Sequence, residues 1–254
     1  MHGEDVMEET FTLITGASSG MGEATARLLS EKRNLILNGR DEARLAAVGE
    51  ACARNGARVI LFPCDLEQAH TAGAALAELL GKHGAAVDAF LHFAGMTEVL
   101  PLARTKYAIG LRVMNVNYFS ATEMLSALLK KKINGRSLRN VVLTSSIAVT
   151  GGKLYQPHYC ASKGAVTALG MALACELAPQ VRVNVIAPGS FKTRMVQTLF
   201  ADPSPDAPWM PDTRLPPGTV EDVARVVRFL LSEDAAYLTG QIINIDGGER
   251  FPHF

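Results

Sequence analysis

The 254-residue chain predicts a single α/β domain, a doubly wound parallel sheet of seven strands with helices on both faces. Three observations predict it. Short β-rich apolar runs alternate with longer segments carrying apolar residues at helical spacing, and each parallel crossover needs a connection of helix length. The strands read as continuous apolar runs (VVL, ILFP, VNVI), as expected when both faces are covered. No internal repeat or low-complexity linker interrupts the chain, although length alone leaves one or two domains open.

Residues 1–10 read as an N-terminal tail and 11–254 as the domain. The first strand, Phe11–Thr15, runs into Thr15-Gly16-Ala17-Ser18-Ser19-Gly20-Met21-Gly22 and a helix over Gly22–Glu31. Glycines let the backbone turn sharply and approach a ligand, and the following helix offers free N–H groups at its positive end. That is pyrophosphate-binding chemistry, with GxxxGxG spacing in place of GxGxxG. The same residues match the GxSxG nucleophile elbow of hydrolases. That elbow needs an upstream sheet to hold its oxyanion loop, and only fifteen residues precede Gly16.

The second strand, Leu35–Asn38, ends at Gly39-Arg40. A carboxylate there would accept from a ribose 2′-hydroxyl, whereas an arginine accommodates a 2′-phosphate, so the position favours NADP over NAD. Asp41 reads as the N-cap of a helix over Asp41–Asn55, with a ribose contact as its other possible use. After the third strand, Arg58–Phe62, Asp65 and Leu66 stand where an adenine edge would lie. Asp65 also suits the N-cap of a helix over Leu66–Lys82. The fourth strand, Ala89–His92, leads into Phe93-Ala94-Gly95. His92 reads as a packed strand-end histidine. A long helix over Met114–Ile133 ends in Lys130-Lys131-Lys132, cations that complement its dipole.

The strand Asn140–Ser145 is followed by Ser146, and the helix Tyr159–Leu177 opens with Tyr159-Cys160-Ala161-Ser162-Lys163. Residues i and i+4 share a helical face, so the Lys163 ammonium can sit beside the Tyr159 phenol. A free phenol titrates near 10, and nearby positive charge favours its ionised form. Ser146 can donate to a substrate oxygen as charge develops there. The strand Arg182–Ile186, the helix Val220–Leu231 and the strand Ile242–Ile245 complete the pattern. Between them Ala201–Gly218 holds six of the twelve prolines and the sole tryptophan, Trp209, and a substrate lid is expected over about 190–218.

Taken together, these residues resemble the short-chain dehydrogenase/reductase family from about Thr12 to Gly248, and 3-oxoacyl-carrier-protein reductases among its members. The resemblance implies a Rossmann-type fold, an NADP cofactor, and hydride transfer between nicotinamide and a carbonyl or alcohol. It assigns catalysis to Asn117, Ser146, Tyr159 and Lys163, with Asn117 (Asn115 as the alternative) holding a proton relay. Pro188-Gly189-Ser190-Phe191-Lys192-Thr193 is similar to the family's nicotinamide-contacting PGxxxT. The cofactor set it implies is Thr15, Gly16, Ser18, Ser19, Gly20, Met21, Gly22, Arg40, Asp65, Leu66, Ala94, Gly95, Tyr159, Lys163, Pro188, Gly189, Phe191 and Thr193. His92-Phe93 departs from the family's Asn-Asn, and local repacking is expected there. The implied assembly is a homo-oligomer, a tetramer or dimer, paired through the two long helices.

Composition narrows the rest. Lys plus Arg and Asp plus Glu are 25 each, so no global field attracts nucleic acid or anionic lipid. The four cysteines, Cys52, Cys64, Cys160 and Cys175, match no metal spacing, and a reduced, cytoplasmic setting is expected. The acidic start of the chain is unlike a signal peptide, and no membrane span is expected. The partner is then a small-molecule carbonyl or alcohol, free or on an acyl carrier. Leu154, Tyr155, Phe191, Met195, Leu199, Phe200 and Trp209 suggest an apolar pocket wall, with Lys192 and Arg194 available to an anionic group. An alcohol, sugar or steroid dehydrogenase running oxidatively, and a catalytically silent NADP-binding sensor or scaffold, are the alternatives.

Overall fold

The computed structural model describes residues 10–191, 193 and 213–250. Seven strands form one parallel sheet in the order β3-β2-β1-β4-β5-β6-β7. They are β1 (Thr10–Thr15), β2 (Asn34–Gly39), β3 (Val59–Pro63), β4 (Ala86–His92), β5 (Asn140–Thr144), β6 (Arg182–Pro188) and β7 (Ile242–Ile245). The order reverses direction between β1 and β4. The carboxyl ends of those strands therefore flank a crevice, the place where open α/β sheets take their ligands.

One face of the sheet is covered by α1 (Gly20–Leu29), α2 (Glu42–Arg54) and Val220–Leu231. The other carries α3 (Ala69–His83), α4 (Tyr107–Met114), α5 (Ser120–Leu128) and Pro157–Leu177. Two short helices, α6 (Lys131–Asn134) and α7 (Ala148–Gly151), precede that last one, so Pro157–Leu177 is α8 and Val220–Leu231 is α9. Two apolar layers form, one on each side. Leu13, Phe90, Leu143 and Val185 point into the first, and Ile14, Leu37, Leu91 and Ile186 into the second. Alternate strand residues feed opposite layers, which is why the strands lack a polar face.

Local chemistry sets the helix ends. Asp41 caps α2 by accepting the Arg44 N–H at 3.1 Å. Thr219 and Asp222 close a reciprocal capping box on α9, and Pro157 starts α8 at a position whose N–H would have no helical partner. α3 stops at Gly84, whose φ of 57° is left-handed.

One predicted helix is corrected. Met114–Ile133 is not continuous: α4 begins earlier, at Tyr107, and Asn115–Phe119 winds as a π-helix before α5. A π-turn inserts one residue into the repeat, so a 3.6-residue pattern read across it misplaces the helix. The lysine run is corrected with it. Lys130 lies just past the end of α5, while Lys131 and Lys132 open α6. The one described helix long and apolar enough by length and composition to cross a membrane is α8, which here packs against β5 and β6. The tail 1–9 lies outside the described residues, as does most of the expected lid, including Lys192, Arg194, Met195, Leu199, Phe200 and Trp209.

Candidate active site

The glycine turn after β1 is shaped by contacts that exclude side chains. Gly16 has φ +65°, and a Cβ there would lie 2.8 Å from the Ala94 nitrogen. A Cβ on Gly22 would come within 2.3 Å of the Gly16 carbonyl oxygen. Ser19 is the extended N-cap residue of α1, and its side chain makes no capping bond. The turn thus aims unpaired helix N–H groups across the crevice. Thr193 reaches the same turn, its methyl 3.7 Å from a Cβ placed on Gly20, so the segment after β6 and the glycine motif meet. Pro188, Gly189 and the buried Phe191 lead up to it. Glu249 secures this segment: its carboxylate accepts the Ser190 N–H and hydroxyl, both at 2.6 Å, and Lys153 at 3.3 Å.

A cavity of about 490 Å³ extends from this turn, lined by Gly16, Ser18, Ser19, Arg40, Asp65 and Gly95 among others. Leu66 and Ala94 line it too. Its far end is charged. Arg40 projects from the end of β2 with 71% of its side chain exposed and approaches Glu67 at 3.2 Å. Glu67 is held much more tightly by Arg112 of α4, through Nε at 2.7 Å and Nη2 at 2.9 Å. Those bonds hold the Glu67 carboxyl below the usual carboxylate range. Asp41 is bound by both the backbone and the guanidinium of Arg44, which lower its pKa likewise. Asp65 accepts the Glu67 N–H at 3.0 Å. The shape and the donors fit a dinucleotide: a cradle that a Cβ would fill, free N–H groups, and cations at the adenosine end.

Outside the lining of that cavity, Ser146 and Lys163 are buried and Tyr159 is half-buried. The Ser146 side chain acts on the Tyr159 phenol so as to favour its ionised form. Burial nevertheless raises the Tyr159 pKa above its ordinary value. Lys163 lies on the same helical face, its ammonium 5.8 Å from the Tyr159 ring centroid. It donates to the Thr144 carbonyl at 2.7 Å. Burial pushes its pKa down from 10.5 to about 8. Lys163 turns to the strand carbonyl and is itself penalised by burial, so desolvation dominates at the phenol in the absence of a bound cofactor.

Asn117 sits fully buried in the π-turn. Its amide accepts the Met96 N–H at 2.7 Å and donates to the Met96 carbonyl at 3.0 Å and the Ser162 hydroxyl at 2.8 Å. The side chain is thus engaged at both ends, and the backbone carbonyl is what remains to act as an acceptor. Asn115 points elsewhere, donating to the Glu67 carbonyl at 2.8 Å.

His92 replaces the family's asparagine with a complete set of bonds. Its Nε2 faces the Asn117 carbonyl at 3.2 Å and its Nδ1 the Thr15 hydroxyl at 2.9 Å. A carbonyl only accepts, so Nε2 carries the proton and Nδ1 accepts from Thr15. Thr15 in turn accepts the Ala94 N–H at 3.1 Å. Burial, aided by the Lys163 charge, drives the His92 pKa down to about 3, so the ring is neutral. It is a packed histidine, as expected, and it links the glycine turn to the π-turn.

The sequence missed several contributors. Glu67, Arg112 and Glu249 carry no local pattern, because each acts across the fold. Glu98 is another: its Oε1 accepts the His158 N–H at 3.2 Å and so caps α8 one residue before Tyr159, in place of a local cap. Ser162 was visible only as the third letter between the tyrosine and the lysine.

A family model described as enoyl-(acyl carrier protein) reductase matches residues 16–249. Nodulation protein G of Rhizobium sp. (strain N33) is 34% identical over 243 residues, covering 93% of this chain and 95% of that protein. The 3-oxoacyl-[acyl-carrier-protein] reductase FabG of Thermotoga maritima is 32% identical over 251 residues, covering 95% and 98%. Among solved structures, a short-chain dehydrogenase/reductase described as glucose/ribitol dehydrogenase, from Brucella melitensis, superposes with a TM-score of 0.82 at 28% identity, covering 96% and 98%. Fold, crevice and sequence together define a nicotinamide-nucleotide oxidoreductase acting on alcohol and carbonyl groups. The chain belongs to the short-chain dehydrogenase/reductase family.

Proposed function

We propose that the protein is an NADP(H)-dependent reductase of a ketone or 3-oxoacyl-type carbonyl, with Tyr159 as the proton donor. The observation that carries this is the Lys163 ammonium 5.8 Å from the Tyr159 ring on one helical face, with Ser146 buried at the end of β5 and acting on the phenol. The nicotinamide nucleotide, when bound, supplies the hydride. Ser146 and Tyr159 would offer their hydroxyls to a carbonyl oxygen gaining negative charge. Burial keeps the phenol protonated near neutral pH, so Tyr159 Oη has a proton to give as that oxygen becomes a hydroxyl. Lys163, charged below about pH 8, stabilises the phenolate left behind and adds a donor for a ribose hydroxyl. Asn117 serves the proton path through its carbonyl, which can accept a second bond beside that from His92.

Arg40 at the adenosine end supports NADP over NAD. The exposed Leu154 and Tyr155, in the loop before α8, support an apolar or acyl-like substrate. The name of the Thermotoga maritima relative points the same way, including an acyl-carrier-borne substrate. The Brucella melitensis neighbour's description favours a second reading, a sugar or alcohol dehydrogenase running oxidatively. A catalytically silent NADP-binding scaffold would have no use for the Tyr159–Ser146–Lys163 arrangement. A cytoplasmic homotetramer or dimer, with the lid over about 190–218, completes the proposal.

The test is nicotinamide absorbance with NADPH and a panel of ketones and 3-oxoacyl thioesters, run beside NADP⁺ with sugars and secondary alcohols. Reduction of carbonyls by NADPH, abolished in Tyr159→Phe, is expected. Turnover retained in that variant refutes the assignment.

A further inference from the structure

We infer that Arg112, on α4 and outside every motif in the sequence, sets the preference for a 2′-phosphorylated cofactor by taking up most of the Glu67 carboxylate that Arg40 also touches. The inference rests on the NADP reading above. Six charged groups line the adenosine end of the cavity: Arg40, Arg44 and Arg112 against Asp41, Asp65 and Glu67. A phosphate dianion entering that balanced set needs a cation whose charge is not already engaged. Arg44 is not that cation, because Asp41 binds it directly as well as through the α2 cap.

The decision falls on Glu67. Its carboxylate takes two Arg112 bonds, at 2.7 and 2.9 Å, and one long Arg40 contact at 3.2 Å. The fork of Arg112 matches the two carboxylate oxygens, the geometry in which a guanidinium binds most strongly. A second tie fixes the backbone beneath: Asn115 donates to the Glu67 carbonyl at 2.8 Å. Arg40, mostly in solvent and touched once, keeps donors free to meet a phosphate. Without Arg112 the same carboxylate would have Arg40 as its one guanidinium partner. It would then both occupy that fork and repel the phosphate. A cofactor with a bare 2′-hydroxyl brings no charge to this place, so the effect is confined to NADPH.

The experiment measures dissociation constants for NADPH and NADH by nicotinamide fluorescence in four proteins: Arg40→Ala, Arg112→Ala, Glu67→Gln, and the Glu67→Gln/Arg112→Ala double variant, each with circular dichroism to confirm folding. Arg112→Ala is expected to weaken NADPH about five- to tenfold, the scale of one partly solvated charge contact, with NADH within about twofold. Glu67→Gln is expected to strengthen NADPH. In the double variant NADPH affinity is expected to return to within about twofold of the unaltered protein, because the competing charge has gone.

A selective NADPH loss in Arg40→Ala with none in Arg112→Ala overturns the inference alone. A double variant as weak as Arg112→Ala also overturns it, because Arg112 would then be binding phosphate itself. Equal effects of Arg40→Ala on both cofactors overturn the NADP reading underneath.

Discussion

At the adenosine end of the crevice, Arg40, Arg44 and Arg112 face Asp41, Asp65 and Glu67 in an open, wet cavity. At the catalytic end, Lys163 and His92 are buried, Lys163 against the Thr144 carbonyl and His92 between the Thr15 hydroxyl and the Asn117 carbonyl. The first arrangement uses charge against charge, which water and salt screen and which rearranges at little cost. The second removes water, so each charge is expensive and each hydrogen bond must be met. On the proposed assignment, the cleft would read the cofactor's phosphate with adjustable charge and handle the proton with fixed geometry. Perturbation at the catalytic end should change activity, stability or acid tolerance. Perturbation at the adenosine end should alter affinity and its salt dependence.

The largest effect is expected at Tyr159. Tyr159→Phe should lower kcat by about 10²–10⁴-fold, the range for a lost general acid, while the NADPH dissociation constant stays within a few-fold. Steady-state rates beside a binding titration separate the two. Lys163→Met should follow, and it sharpens the contrast because burying an ammonium opposes folding. The folded pKa of about 8 lies below the ordinary 10.5, so the unfolded chain binds more protons between those values and stability rises with pH there. Below pH 8 the full cost of the buried charge is present. Lys163→Met should therefore lose activity without losing thermal stability at pH 7. In the unaltered enzyme the reduction rate should decline as pH rises through about 8 and Lys163 discharges.

His92 gives the next effect, on folding. His92→Phe strands the Thr15 hydroxyl and the Asn117 carbonyl in the interior, at a cost of about 2–4 kcal/mol in denaturant unfolding. With a folded pKa of about 3 against an ordinary 6.5, the ring binds fewer protons in the fold. Its contribution is fully present above pH 6.5 and is lost as pH falls toward 3. His92→Asn should restore one or both bonds and flatten that acid limb. The smallest effect belongs to the charged end: Asp41→Ala should give a small drop in Tm through the lost α2 cap. NADPH affinity should also fall steeply with ionic strength, while turnover at saturating NADPH should change little.

How legible all this was depended on how local each signal is. All seven strands are present as expected, because an unbroken apolar run reports burial on both faces directly. Asp41 and Asp65 are caps, as read, because a cap bonds its own neighbours. The π-turn at Asn115–Phe119 was invisible because it breaks the period on which the reading relied.

What the sequence determined by itself is the order of the elements, the parallel sheet they must form, the glycine turn, and the tyrosine and lysine on one helical face. Each follows from spacing along one segment of chain. What only the tertiary structure decided is which groups meet from distant segments: Glu67 with Arg112, His92 between Thr15 and Asn117, Glu249 with Ser190, and Lys163 with the Thr144 carbonyl. Burial and partner choice set charge states there, and neither exists until the chain has folded. That is why burial raises the phenol pKa although a cation stands one helical turn away.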